Sequence, residues 1–530
     1  MKTTSTKLIL ITSLYFVIFG NFSFFRHVVE VYPVVARNIG FLISLPAGLM
    51  SAIVLLLTLL SSRYTTKPVL ILLLLTTSVA TYFMDQYNII IDVTMIQNVM
   101  ETNYNEASDL FNLNLLLHFL LFGVLPSILV YKVKIEQVSW KRGALIKLRD
   151  SGLCLLVFIA TILLFSKFYA PFFRVHKPLR YYTNPTYYIY SLGKYAATFL
   201  HKENVTIKPL GVNARLSATD KGRELVILVV GEAVRADRFS LNGYPRETNP
   251  LLKQEDVISM TNMHSCGTTT AYSLPCMFSI FSRSSYSDRK GAATENLLDV
   301  LQYAGIHVLW RDNNSSSKGI ANRVTYQDFR SPDVNPVCDV ECRDMGMLSG
   351  LQQYIDTQPG GDIIIVLHQM GNHGPAYYKR YPAAFEKFKP VCTTNQLEEC
   401  SKDEISNAYD NAILYTDYFL AQTIALLKTN SEIFKTALVY ISDHGESLGD
   451  YGIYLHGLPY ALAPEEQKHV GAIFWFGKNF DVDRDALRRK SDVQFSHDNL
   501  FHTILGMFKV QTTLYDKNLD ITYNGEQNQG

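Results

Sequence analysis

Apolar residues are distributed unevenly along the chain, and their spacing changes once. Before residue 170 they form long runs with almost no charge, at about 8–25, 40–61, 68–84, 113–131 and 152–169. Each is long enough to cross a ~30 Å hydrocarbon core as a helix. After residue 221 the runs become short: "LVILVV", "IHVLW", "DIIIVL", "TALVYIS" and "AIFWFG". They are rich in β-branched residues and separated by helix-like segments, which predicts strands buried on both faces in a largely parallel α/β sheet. Ligands of such sheets bind beyond the carboxyl ends of the strands.

Length agrees with a division of this kind. At 530 residues the chain exceeds what one core usually organises. The expected units are a five-helix transmembrane domain over 1–169, an amphipathic Tyr-rich interfacial connector over 170–220, and an α/β domain over 221–530. The polar tail from about 513 is expected to fray. Formal charge is +1 and no long basic block occurs, so no nucleic-acid partner is expected. Lys2 and Lys7 precede the first apolar run as in a signal peptide, but no small-residue cleavage site follows and four more spans do.

Loop charge predicts orientation. Lys132, Lys134, Lys141, Arg142, Lys147 and Arg149 follow the fourth run, and Arg63 and Lys67 lie after the second. The loop from Asp85 to Asn112 holds five acids and no Lys or Arg. Positive loops stay in the cytoplasm. Five spans with a cytoplasmic N-terminus then place the long C-terminal portion outside it. The cysteines fit: apart from Cys154, they fall as close pairs, Cys266 with Cys276, Cys338 with Cys342 and Cys392 with Cys400. In an exported domain these read as disulfides, with metal thiolates as the rival.

Three of the predicted strands end in groups suited to metal or phosphate chemistry. "LVILVVGEAVRADR" delivers Glu232, "ALVYISDHGES" delivers Asp443 and His444, and "IIIVLHQMGNHGP" delivers His368 and His373. Two carboxylates and an imidazole can converge on one divalent cation; mixed O/N donors suit zinc, with manganese as competitor. The stretch "SCGTTTAYSLPC" then holds threonine hydroxyls inside a short cysteine loop. A hydroxyl is a poor nucleophile unless its alkoxide is stabilised, and a rigid loop at a helix start would place one against a phosphorus atom.

With "VVGEAVRADRFSLNGYPRETNP", "RDNNSSSKG", "GNHGPAYYKRYP" and "ISDHGESLGDYGIYLHGLP", these motifs resemble the lipid A phosphoethanolamine transferases. Those are inner-membrane enzymes of Gram-negative bacteria, related in fold to alkaline phosphatases and sulfatases and associated with polymyxin resistance. The resemblance implies zinc ligands at Glu232, Thr270, Asp443 and His444, with Thr270 as nucleophile and one tight zinc. A second ion by His373 and His456 is left open. Phosphate and substrate contacts are implied at Ser315, Lys318, His373 and His456, and donor contacts at Asn98, Thr102 and Glu106. Steps of four also place these last three on one helical face, the pattern of a solvated polar stripe as well. The implied partners are phosphatidylethanolamine as donor, lipid A or lipopolysaccharide as acceptor, and the bilayer, with the chain a monomer and its catalytic domain periplasmic.

Two features depart from the family pattern. Three hydroxyls, Thr268, Thr269 and Thr270, stand where the family often has Thr-Ala-Thr, and the Cys338 to Cys342 loop is tighter than in some relatives. Rival readings are a hydrolase of the same fold, a phosphoglycerol transferase and a metal-binding scaffold. The sulfatase signature C-x-P-x-R is not present at Cys266.

Overall fold

A computed structural model describes residues 2–102, 104–174, 176–200, 206–217 and 222–525. The chain forms two compact units: residues 1–99 with 111–201, and residues 100–110 with 202–530. The short segment 100–110 thus groups with the C-terminal unit although it lies inside the predicted 1–169 region.

The first unit is helical. Helices α1 (Ser5–Phe19) and α2 (Phe22–Val31) replace the predicted first span and meet at 54°. The break has a local cause, since Gly20 and Asn21 are poor helix formers. Its backbone is satisfied from a distance, because Asn184 Nδ2 donates to the Gly20 carbonyl at 3.1 Å and Asn21 and Asn184 exchange two further hydrogen bonds at 2.8 Å. Irregular backbone persists in lipid only where such partners exist. Three helices are long and apolar enough to cross a membrane: α3 (Ala36–Leu60), α4 (Thr66–Tyr87) and the helix spanning Leu113–Lys132. With the bent pair counted as one span there are four among the described residues, not the expected five. The fifth run, 152–169, is divided between the helix Trp140–Leu164, whose N-terminal part carries Lys141, Arg142, Lys147, Arg149 and Asp150, and a second helix, Ser166–Arg174. The predicted single helical face over Asn98, Thr102 and Glu106 is also interrupted. Helix α5 (Val93–Glu101) ends before α6 (Tyr104–Leu110), and Thr102, a weak helix former, lies outside both. The side chain of Glu106 lies outside the described residues.

The second unit is built on an eight-stranded sheet. Its strands are β1 (Glu224–Gly231), β2 (Ile258–His264), β3 (His307–Asp312), β4 (Thr325–Asp328), β5 (Ile363–His368), β6 (Lys435–Ser442), β7 (His469–Phe476) and β8 (Phe495–Ser496), in the order β8-β2-β7-β6-β1-β5-β3-β4. All five predicted runs are strands. The sheet is mixed: β7, predicted as one of a largely parallel set, runs antiparallel to β2 and β6, and the other pairings are parallel. Every residue of β1 and β5 is buried, as unbroken Val/Ile/Leu runs require. Helix α7, here Thr270–Met277, follows β2, and α8 (Lys402–Thr429) begins at a capping box formed by Ser401 and Glu404. The tail is packed, with Ile521 at 1% exposure.

Register positions the chemistry. Gly231 pairs with Ser442, Val230 with His368, and His368 with Asp312, so β1, β6, β5 and β3 end in line. Glu232 and Asp443 are the first residues past that edge. Because Ile365 is fully buried at the centre of β5, Ile365→Ala should cost ~2–5 kcal/mol. Thermal unfolding of the detergent-solubilised full chain should show a clearly lower midpoint.

Candidate active site

Glu232, Asp443 and His444 are each 0% exposed, and one ligand atom from each lies within 4.8 Å of the others. Thr270 opens α7 and points at them. Its hydroxyl donates to Glu232 Oε2 at 2.9 Å and lies 3.3 Å from His444 Nε2. His444 Nε2 is 3.2 Å from Glu232 Oε1 and 3.5 Å from Asp443 Oδ2. Neither oxygen has a partner in hydrogen-bonding geometry among the described residues. Two carboxylate oxygens facing one another in a dry site are costly unless a cation lies between them. Among the side chains, a proton on His444 offsets them most closely: burial opposes that proton, but the Asp443 and Glu232 carboxylates push the imidazole up to about 10. Burial, with the charge of Glu232 adding to it, pushes Asp443 up to about 6. Burial acts the same way on Glu232, yet the neighbouring His444 outweighs it and holds that carboxyl well below its usual range.

The donor atoms are held from behind. His444 Nδ1 lies 2.8 Å from the Gly445 carbonyl, to which it donates, leaving Nε2 for the site. Asp443 Oδ1 accepts from the backbone N–H groups of Ala233 and His444, so Oδ2 is the oxygen turned inward. Ala233 adopts φ +57°, a left-handed conformation that a non-glycine residue takes only where its surroundings enforce it. Asn314 donates to Glu232 Oε2 at 2.9 Å and to the Gln369 carbonyl at 2.7 Å, fixing the second carboxylate.

The threonine loop is tied at both ends. Cys266 and Cys276 form the disulfide that brackets it. Ser273, one turn along α7, donates to the Asp443 carbonyl and accepts from the Gly267 N–H. His497 Nδ1 accepts from the Cys266 N–H at 3.0 Å, and its Nε2 donates to the Ser442 carbonyl at 3.0 Å. Burial pushes His497 down to about 4, so it serves as a neutral bridge between loop and strand. The three hydroxyls separate cleanly: Thr268 donates to the Leu458 carbonyl at 2.6 Å, the Thr269 hydroxyl is buried without a partner among the described residues, and Thr270 alone of the three reaches the acidic pair.

A second group adjoins the first. The His456 ring lies 4.2 Å from His444 and 5.6 Å from His373, centre to centre. His456 Nδ1 is 2.7 Å from Glu446 Oε2, and Tyr377 donates to the other oxygen of that carboxylate. His444, Glu446 and His456 form a second set able to hold a metal. Lys318 is nearly buried, in left-handed backbone at φ +48°, with its ammonium 3.6 Å from Glu101 Oε2. Ser315 lies beside Asn314 in the same loop. His368, at the end of β5, turns away to Asp312 at 3.0 Å. Cys338 with Cys342 and Cys392 with Cys400 are disulfides, and Cys154 is free.

The chain is similar to known proteins along its length. A sequence profile for the phosphoethanolamine transferases EptA/EptB matches residues 49–199, and one for the sulfatases matches residues 224–510. The phosphatidylethanolamine transferase Mcr-2 of Escherichia coli is 44% identical over 503 residues, 93% of this chain and 92% of that protein. EptA of Salmonella typhimurium is 40% identical over 526 residues, 97% and 95% of the two chains. The structure of the lipooligosaccharide phosphoethanolamine transferase EptA from Neisseria meningitidis matches with a TM-score of 0.95 at 33% identity, covering 98% of this chain and 99% of that one. The chain belongs to the phosphoethanolamine transferase family. In this transferase the C-terminal unit is an alkaline phosphatase/sulfatase-like domain.

Sequence reasoning missed several supports of the transferase site. Asn314 stood inside "RDNNSSSKG" and Glu446 inside "ISDHGES", where polar residues at strand ends were the available signal. His497 had none, because only folding brings it beside Cys266. Replacing it tests that bridge: His497→Ala strands a buried N–H and a buried carbonyl. The expected loss is ~1–3 kcal/mol, read as a lower unfolding midpoint of the full chain.

Proposed function

We propose that this transferase moves phosphoethanolamine from phosphatidylethanolamine to a phosphate of lipid A through a covalent phosphoethanolamine-threonine at Thr270. One observation carries the reading: the Thr270 hydroxyl, unlike Thr268 and Thr269, is aimed at two buried carboxylates and an imidazole, and Glu232 Oε1 and Asp443 Oδ2 lack a hydrogen-bond partner among the described residues. These residues fit a cation, and the mixed O/N set of Glu232, Asp443, His444 and Thr270 suits zinc. Bound there, the ion would supply Lewis-acid stabilisation of the threonine alkoxide.

The protein's own groups do the rest. Thr270 gives its hydroxyl proton to Glu232 Oε2, to which it already donates, and its Oγ1 bonds to phosphorus as the bond to the diacylglycerol oxygen breaks, while the N-terminus of α7 faces the phosphoryl oxygens. Lys318, Ser315, His373 and His456 contact the phosphoryl group, and one of the two histidines gives its proton to the leaving oxygen. A phosphate oxygen of lipid A then attacks the same phosphorus and Thr270 departs, giving ping-pong kinetics. Asn98, Thr102 and Glu106 hold the donor. The added ammonium lowers the negative charge that draws cationic peptides such as polymyxin to the outer membrane.

Such a donor requires the catalytic domain, 221–530, to lie on the periplasmic side of the inner membrane, with 1–169 crossing the bilayer five times from a cytoplasmic N-terminus and 170–220 lying in the headgroup zone. The exposed Leu156, Leu163 and Leu164 of the fifth segment support its contact with lipid. The enzyme acts as a monomer.

Lipid A from cells expressing the chain should gain phosphoethanolamine by mass spectrometry, and Thr270→Ala should remove the gain, slowing transfer by ~10³-fold or more. Unmodified lipid A from wild-type cells would overturn the acceptor. In acceptor-free protein incubated with donor, the peptide adduct should map to Thr270; an adduct at Thr268 or Thr269 would overturn the nucleophile.

A further inference from the structure

Asp109, near the end of α6, is 5% exposed and takes two cations from a motif more than 250 residues away. Its Oδ1 lies 2.5 Å from Lys379 Nζ and its Oδ2 lies 2.7 Å from Arg380 Nη2. Asn395 donates to its carbonyl. All of these residues belong to the C-terminal unit.

Arg380 is the hub of this cluster. Its side chain is buried, and its three donor groups go to three elements: Nη2 to Asp109, Nη1 to Glu341, and Nε to the His373 carbonyl at 2.6 Å. Glu341 stands between Cys338 and Cys342, so the middle disulfide steadies one of the two carboxylates that grip the guanidinium. A planar fork held by two carboxylates has little freedom left, and its third donor is thereby aimed.

His373 needs such a hold. The Nδ1 of His444 is fixed by a carbonyl and that of His456 by Glu446, but His373 Nδ1 is buried without a hydrogen-bond partner among the described residues. Its ring is therefore positioned through its backbone, which Arg380 grips. Buried ion pairs contribute little net stability compared with apolar packing, so a fold that buries Asp109, Arg380 and Glu341 together gains fixed geometry more than stability.

The geometry points to Asp109 as a positioning residue of the transferase, acting through Arg380 to fix His373 against the phosphoryl group. The inference rests on the role given to His373 above. It also explains why segment 100–110 groups with the catalytic unit: Glu101 meets Lys318 at one end and Asp109 meets Arg380 at the other. Residues assigned to phosphoryl contact or positioning are thus bound at both ends of the segment that carries Thr102.

The test is single-turnover release of fluorescent diacylglycerol from labelled phosphatidylethanolamine by the full-length protein in detergent, at saturating donor. Asp109→Asn should slow release ~10- to 100-fold, the scale of a misplacement originating away from the chemistry, and Asp109→Glu should recover most of it. In a His373→Ala background the same Asp109→Asn change should cost less than ~2-fold, because the residue it acts through is gone. Arg380→Lys keeps the charge beside Asp109 but gives up the Nε–H bond to His373; it should show the same loss and the same disappearance, and it serves if Asp109→Asn does not fold. A wild-type rate in Asp109→Asn, or an undiminished loss in the His373→Ala background, would overturn the inference. A wild-type chain that releases no diacylglycerol would overturn the transferase reading and this inference with it.

Discussion

Two carboxylates, Glu232 and Asp443, are carried into a fully buried place by adjacent parallel strands, and their inward oxygens have no hydrogen-bond partner among the described residues. An arrangement of this kind is unfavourable in an apo chain. The surrounding fold must therefore hold it open, and the sheet does so through register. With Gly231 opposite Ser442, the two acids follow their strands at the same level, and neither can withdraw without disrupting strands buried along their length. The cost of assembling the charges is met by rigid scaffolding, as in preorganised catalytic sites generally.

The rest of the site answers to that pair. Asn314 donates to the Glu232 oxygen that also accepts from Thr270, and the backbone N–H groups of Ala233 and His444 donate to one oxygen of Asp443, so each carboxylate keeps one further oxygen turned inward. The cross-linked loop brings Thr270 to the same point from the far side, tied down by Ser273 and by the neutral bridge of His497. Glu446 orients His456, and the Asp109 to Arg380 contact extends the scaffold to a segment that is remote in sequence. What unites these contacts is direction: Glu232, Asp443 and His444 are each anchored through one side-chain atom, and His373 is steered through its backbone.

Much of this was legible in the chain itself, for physical reasons that also mark where legibility ended. Unbroken β-branched runs disclosed the five central strands because a strand covered on both faces tolerates nothing else, and the residues following them included Glu232, Asp443 and His444. Strand direction was less accessible: "AIFWFG" reads the same either way, and β7 runs against its neighbours. In the first unit, hydropathy located the apolar runs but missed the bend at Gly20 and Asn21, whose compensation comes from Asn184. The fifth run gave no sign of the break at Phe165 that divides it between two helices. His497, Asn314 and Asp109 escaped notice because their meaning lies in partners tens to hundreds of residues away.

The central claim is that the acidic pair exists to hold a divalent cation against Thr270. Metal analysis of the full-length protein, purified without chelator and compared with Glu232→Ala and Asp443→Asn, tests it most directly. The account predicts about one tightly bound equivalent of zinc in the wild type, absent from both variants, with activity lost on chelation and restored by zinc. A wild-type protein that transfers phosphoethanolamine at full rate after its metal has been removed would contradict it.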